Sequence, residues 1–337
     1  MSRMDATNSS AKAPPREVVF FGAGAFGIPS LSHLVSTRGV QAVVTQPDRP
    51  AGRGGSLTPT PIAQWCAEHA PSLPVLKPER ASAAESSAAI RAYSAREWVV
   101  IAFGQKLSQA LLSDRFAINL HASILPRWRG AAPIHAALLA GDPEIGNSVI
   151  TLADRMDAGE VLLQSRHPAD QTKTCGEWHD RLAIEGTVLI DHVLEAHAAG
   201  TLSPHPQRES DVTIAKKLSR ADAWIDFAAT AEECRRRIHA LTPWPGVGIT
   251  IAGHDLKLLR VEPDRVDREH DYAPGMLLDA DLGVLRCAGD SALRILELQP
   301  AGKKPMDWPS FARGARFSRG VMAQSKVSVP TSQRDLS

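Results

Sequence analysis

The stretch Glu17-Val18-Val19-Phe20-Phe21-Gly22-Ala23-Gly24-Ala25-Phe26-Gly27-Ile28 opens as a short apolar run and breaks at three glycines. From Ile28 onward it carries Leu31, Leu34 and Val35 at helical spacing. A strand, a tight turn and a helix in this order begin a parallel α/β sheet. Outward from it, Val40 to Thr45 reads as a second strand and Thr60 to His69 as a helix. Trp98 to Phe103 is a continuous apolar strand of the buried parallel type, and Ile118 to His121 ends another. In such a sheet, functional residues gather beyond the carboxyl ends of the strands.

Farther along, a long helical pattern from about Cys175 to His197 closes this first unit. The Pro-, Ser- and charge-rich stretch Gly200 to Asp211 then reads as a linker. Beyond it come short strands, Gly248 to Ala252, Asp255 to Val261, Gly283 to Cys287 and Leu293 to Leu298, separated by Gly, Asp and Pro. This pattern predicts a small antiparallel barrel. The expected division is a disordered N-terminal extension over 1–15, a catalytic domain over 16–200, a linker over 201–214, a barrel over 215–325 and a disordered tail over 326–337.

A chain of 337 residues exceeds one ordinary core, and 43% hydrophobic with 22% charged residues describes a soluble globular protein. The net charge of +1 supplies no global steering field, so a polyanionic partner must be held by local basic patches. Cys66, Cys175, Cys234 and Cys287 are scattered, without a Cys-x-x-Cys pair or a clustered histidine. They read as reduced thiols of a cytoplasmic protein, with no metal site expected. No signal-peptide core follows Met1, and no run approaches the roughly 20 apolar residues of a membrane span. A monomer is expected.

Gly22-x-Gly24-x-x-Gly27 matches the dinucleotide fingerprint. The acid that should bind a ribose after the second strand is offered only by Asp48, inside a Pro- and Gly-rich loop, so a plain tight turn is the reading adopted. The chemistry points to Asn119-Leu120-His121-Ala122-Ser123-Ile124-Leu125-Pro126-Arg127-Trp128-Arg129-Gly130 and to Asp157-Ala158-Gly159. Asn119 and His121 alternate along a strand end and so reach one side. An amide donor can stabilise an oxyanion, an imidazole can hold or move a proton, and a carboxylate can orient the imidazole. The three types together suit acyl transfer, whereas satisfied strand-end polar groups would need no such combination. Ser123 lacks the Gly-x-Ser-x-Gly elbow of a nucleophile and reads as a shaper of the Leu125-Pro126 loop. Lys216, Lys217, Arg220, the run Arg235-Arg236-Arg237, Lys303-Lys304 and Arg313, Arg316 and Arg319, with Trp224 and Trp244 nearby, suit a surface that tracks a phosphate backbone.

From about Arg16 to about Met322 the chain resembles the methionyl-tRNA formyltransferase family. The resemblance rests on Asn119 to Pro133, Asp157-Ala-Gly159 and Pro47-Asp-Arg-Pro-Ala-Gly-Arg53-Gly54. In the second half it rests on Ala215-Lys216-Lys217, Ile225-Asp226-Phe227, Pro243-Trp-Pro-Gly246 and Gln299-Pro-Ala-Gly-Lys303-Lys304. It implies a Rossmann-like parallel-sheet formyltransferase domain followed by a small C-terminal OB-like β-barrel. It also implies formyl transfer from 10-formyltetrahydrofolate to the α-amine of methionyl initiator tRNA, without a metal. By position, Asn119, His121 and Asp157 would be catalytic, Ser123, Ile124, Leu125 and Pro126 would border the folate, and Arg53, Lys216, Lys217, Lys303 and Lys304 would contact tRNA. The chain departs from the family pattern at Gly22-Ala-Gly-Ala-Phe-Gly27, at Gly55-Ser56 where lysines are common, and at Phe227 where tryptophan is usual. The alternatives are a folate-dependent formyltransferase of a small amine, such as a nucleotide sugar, and an RNA-binding protein without activity.

Overall fold

The computed structural model describes residues 17–51, 55–266 and 272–330. They fall into two compact units: one runs to Leu120 and includes Ile190–Gly200, and the other comprises His121–Leu189 and the chain from Thr201. The expected boundary lay instead at 201–214. That segment is hydrogen-bonded into the second unit: His205 and Val161 exchange backbone bonds, and Ile214–Ala215 pairs in parallel with Arg129–Gly130.

The parallel sheet of the first unit is built from β1 (Val18–Gly22), β2 (Val40–Val44), β3 (Val75–Leu76), β4 (Glu97–Ile101) and β5 (Phe116–His121, whose last residue begins the second unit), in spatial order β5-β4-β1-β2-β3. Every neighbouring pair is parallel. β1 and β4 are buried at every position, which is why Val18 to Phe21 and Trp98 to Ile101 run apolar without alternation, although β4 begins with the buried Glu97. The register sets Phe21 beside Val100 and Val100 beside Asn119, so the polar residue ends a row that is otherwise hydrocarbon. The helix Pro61–His69 starts where the Thr60 hydroxyl accepts from the Ala63 N–H at 3.1 Å and proline occupies the first turn. The glycine-rich turn has a packing reason. A Cβ on Gly22 would stand 2.6 Å from the Phe20 ring and 3.0 Å from the Ile101 carbonyl. A short 3₁₀ turn, Ala25–Gly27, precedes the helix Ile28–Thr37.

In the second unit the helix Pro133–Ala140 begins with proline, which a first helical turn tolerates, and ends at left-handed Gly141, and β6 (Ser148–Thr151) pairs antiparallel with β7 (Val161–Gln164). The C-terminal strands are β8 (Gly248–Ile251), β9 (His254–Arg265), β10 (Leu277–Asp279), β11 (Val284–Arg286), β12 (Ser291–Pro300) and β13 (Ala323–Ser325), in order β10-β11-β12-β9-β8-β13. All neighbours are antiparallel. Register shifts at Arg260 bend the long β9–β12 pair. The sheet then curls until its ends meet, where Met276 bridges Met322 and the Leu277 and Ala323 amides donate to the Val321 and Gly275 carbonyls. This is the expected OB-like barrel. Its core takes Leu256, Leu258, Leu285 and Ile295 from the strands, and Cys234, Ile238 and Trp308 from two helices, Ala231–Ala240 and Trp308–Ala315, that the sequence reading did not place.

All four cysteines are free and buried, and burial pushes the Cys175 thiol up to about 12. Among the described residues no helix is long and apolar enough to cross a membrane.

Candidate active site

β5 delivers Asn119 and His121 to one face at its carboxyl end, as alternation along a strand requires. The His121 side chain is only 7% exposed, and its Nε2 lies 2.9 Å from the Trp128 carbonyl. A carbonyl can only accept, so Nε2 carries a proton. The other ring nitrogen, Nδ1, faces Asp157 Oδ2 at 3.6 Å, an ion-pair distance looser than a hydrogen bond. Two acceptors flank the ring, so it can hold protons on both nitrogens.

Asp157 is itself fixed. Its carboxylate accepts the Gly130 N–H at 2.9 Å, and its backbone adopts φ 52°, a left-handed conformation that Asp tolerates better than most residues. Gly159, two positions on, has no room for a side chain: a Cβ there would meet the Thr151 carbonyl at 1.7 Å. The Asp-Ala-Gly motif therefore combines one chemical group with one steric requirement.

Between His121 and Trp128 the chain makes a tight loop that contains the cis peptide Leu125–Pro126. Ser123 Oγ donates to the Arg127 carbonyl at 2.7 Å, so its proton serves the loop, as the missing nucleophile elbow suggests. A buried Ser148 hydroxyl donates to the Ser123 carbonyl at 2.7 Å and accepts from the Leu125 amide at 3.0 Å. Gln164 Nε2 reaches both Ser148 Oγ and the Leu125 carbonyl at 2.8 Å. A cavity of about 270 Å³ lies against this loop, lined by Ser123, Ile124, Arg127, Trp128, Asp142 and Arg166 among others. Trp128 Nε1 and Arg127 both bind the Asp142 carboxylate there.

The basic residues divide into two kinds. Lys216 and Lys217 are exposed directly after Ile214–Ala215, and Lys303 and Lys304 are exposed beyond β12. Arg53 lies outside the described residues, between the short strands Arg49–Ala51 and Ser56–Thr58. The run Arg235-Arg236-Arg237, grouped above with the phosphate-tracking surface, does not present three free cations. Arg235 is 6% exposed and binds Glu232 and Gln171. Arg237 lies over the Trp224 ring and donates to the Trp224 and Asp222 carbonyls. These guanidiniums hold the helix Ala231–Ala240 in place, with buried Trp224 as the platform for Arg237. Trp244 remains about half exposed.

Sequence reasoning missed the Trp128 carbonyl and the Gly130 amide, since every residue carries such groups. It also missed Ser148, Gln164 and Gln207. Ser148 and Gln164 are polar residues at the ends of short, mostly apolar strands, and Gln207 lies in a polar stretch where nothing marks it out. Among the described residues no group of His, Cys, Asp and Glu converges as a metal site would.

Residues 16–194 match the formyl transferase family, and residues 217–316 match the formyl transferase C-terminal domain. The methionyl-tRNA formyltransferase of Stutzerimonas stutzeri is 38% identical over 314 residues, 91% of this chain and 98% of that protein. That of Symbiobacterium thermophilum is 40% identical over 321 residues, 93% of this chain and 96% of that one. The N-formyltransferase from Helicobacter canadensis, solved with folinic acid and dTDP-3-aminofucose, covers 85% of this chain and 99% of its own with a TM-score of 0.62; at 12% identity this likeness is one of fold.

Proposed function

Because the chain belongs to the methionyl-tRNA formyltransferase family, we infer that it transfers the formyl group of 10-formyltetrahydrofolate to the α-amine of methionine esterified to initiator tRNA. The observation that carries the chemistry is the buried His121–Asp157 pair at the end of the strand that bears Asn119.

The neutral amine attacks the formyl carbon, and the carbonyl oxygen takes up negative charge in the tetrahedral intermediate. The Asn119 amide and protonated His121 donate to that oxygen. His121 Nε2–H, given to the Trp128 carbonyl in this structure, is the donor that turns to the substrate, while Nδ1 closes on Asp157. Collapse breaks the bond from the formyl carbon to N10 of the folate. N10 gains a proton and the former amine loses one, so atoms and charge balance without a formyl-enzyme.

Ser123, Ile124, Leu125 and Pro126 border the folate in this reading, as the rigid loop held by Ser148 and Gln164 supports. Arg53, Lys216, Lys217, Lys303 and Lys304 hold the acceptor arm through phosphate contacts, each of which lowers the salt slope of binding by somewhat less than about one unit when removed. The protein works as a cytoplasmic monomer.

The deciding experiment offers 10-formyltetrahydrofolate with methionyl initiator tRNA, uncharged tRNA, free methionine or an amino-sugar nucleotide. Formylmethionyl-tRNA formed only from the charged tRNA is the expected result. Tetrahydrofolate release only with the sugar nucleotide would replace this reading.

A further inference from the structure

Gln207 makes three hydrogen bonds at the site. Its Nε2 donates to the Asp157 carbonyl and to the Gly159 carbonyl, each at 2.7 Å, and its Oε1 accepts from Arg129 Nε at 2.9 Å. Both amide protons are thus spent on the two ends of the Asp157-Ala158-Gly159 turn. Arg129, 5% exposed, allows only one orientation of the amide, because a guanidinium donates and never accepts. Arg129 Nη2 is anchored in turn on Glu209 Oε1 at 3.0 Å, where Arg155 also binds, and the two guanidiniums hold the Glu209 carboxyl below its ordinary range.

The turn so clamped is a strained one. Asp157 sits at φ 52°, and at Gly159 the Thr151 carbonyl leaves no room for a side chain, so the turn has a special backbone that the Gln207 bonds hold at both ends. We propose that Gln207 is a positioning residue for the formyl transfer, holding the Asp157–Gly159 turn so that the Asp157 carboxylate meets both His121 and the Gly130 amide. The proposal rests on the reading of Asp157 given above, and it adds a residue outside the motifs that carry the family resemblance. It also gives a role to the stretch after the helix Cys175–Ala199. That stretch runs from Gln207 through Thr213, whose hydroxyl accepts the Trp128 amide at 2.9 Å, directly to Lys216 and Lys217.

The test is a double-mutant cycle of Gln207→Ala with Asp157→Asn, read as kcat and KM for both substrates, with Gln207→Met as a second variant of similar length. Gly130 amide hydrogen exchange is measured in the same proteins by NMR. A fall in kcat of about 10- to 100-fold at nearly unchanged KM is expected from loss of positioning. In the Asp157→Asn background the same change should cost less than about threefold, because both act through one group. Exchange at the Gly130 amide should speed up about tenfold. Parental kcat, fully additive losses or unaltered Gly130 exchange would each overturn the proposal. A parent that exchanges as described but makes no formylmethionyl-tRNA would instead refute the proposed substrate, and the exchange comparison would still decide the clamp.

Discussion

The backbone amide of Gly130 donates to Asp157 Oδ2 at 2.9 Å, tying a glycine next to a buried arginine to the carboxylate that faces His121. Such an N–H to carboxylate bond is charge-assisted and short-ranged, so it fixes direction as well as charge. Gly130 itself has φ 123° and pairs in parallel with Ala215. The Arg-Gly and Asp-Ala-Gly motifs are two halves of one arrangement, with no direct sequence sign of their pairing.

Gly130→Ala should therefore damage stability and turnover together. A Cβ would stand 2.5 Å from the Ala215 carbonyl in a backbone region that L-residues avoid. The expected cost is about 1–3 kcal/mol. Turnover should fall at least about tenfold as the carboxylate is displaced. Urea unfolding and single-turnover formylation of the surviving folded protein measure the two effects. A destabilised variant with parental turnover would show that the Gly130–Asp157 bond has no catalytic consequence.

In the proposed mechanism His121 contributes in the transition state, and His121→Ala removes that contribution. Turnover should drop about 10²- to 10⁴-fold while KM for folate and tRNA stays close to the parent. Asp157→Asn keeps the shape of the pair but not its charge, and should lose most of the same factor. If His121→Ala turned over at near-parental rate, the oxyanion would have to be stabilised elsewhere.

The sheet was legible because buried parallel strands read as unbroken apolar runs, as Trp98 to Ile101 does. β3 was not, since two residues, Val75 and Leu76, carry no period. The helix Ala231–Ala240 was hidden for a different reason. Its buried face includes Arg235 and His239, so the hydrophobic periodicity is interrupted by charge and the residues look like surface. At the site, Asn119, His121 and Asp157 stood out because their side chains have distinct chemistry. The Trp128 carbonyl and Gly130 amide did not, for backbone groups become specific only once the chain is folded.

Ser123 and Ser148 should respond in opposite order to what proximity to His121 suggests. Ser148 is fully buried and satisfies the Leu125 amide and Ser123 carbonyl, so Ser148→Ala strands both at a cost of about 1–3 kcal/mol and loosens the loop proposed to border the folate. Ser123→Ala removes one bond, to the Arg127 carbonyl, and should leave turnover within about tenfold of the parent because no covalent step passes through it. Folate affinity by fluorescence titration and turnover by formylation separate the cases. Abolished turnover in a folded Ser123→Ala protein would revive the nucleophile that the loop geometry argues against.

His239 links stability to pH. It is 2% exposed, its Nε2 accepts the Val261 amide at 3.2 Å, and Nδ1–H points to the Gln171 carbonyl at 3.3 Å. Burial first, and then the nearby Arg235 charge, pull its pKa down to about 4, with Arg260 adding to the effect and Glu177 opposing it. Below the unfolded value of about 6.5 the unfolded chain takes up a proton that the folded chain refuses, so stability is lost as pH falls from there towards 4. At about 1.4 kcal/mol per unit, moving from pH 6.5 to 5 costs on the order of 2 kcal/mol. His239→Gln should be less stable at pH 7, since the Val261 amide loses its acceptor, yet its stability should fall about 2 kcal/mol less between pH 7 and 5. Urea midpoints at the two pH values test this, and an equal acid loss in parent and variant would assign the pH dependence to other groups.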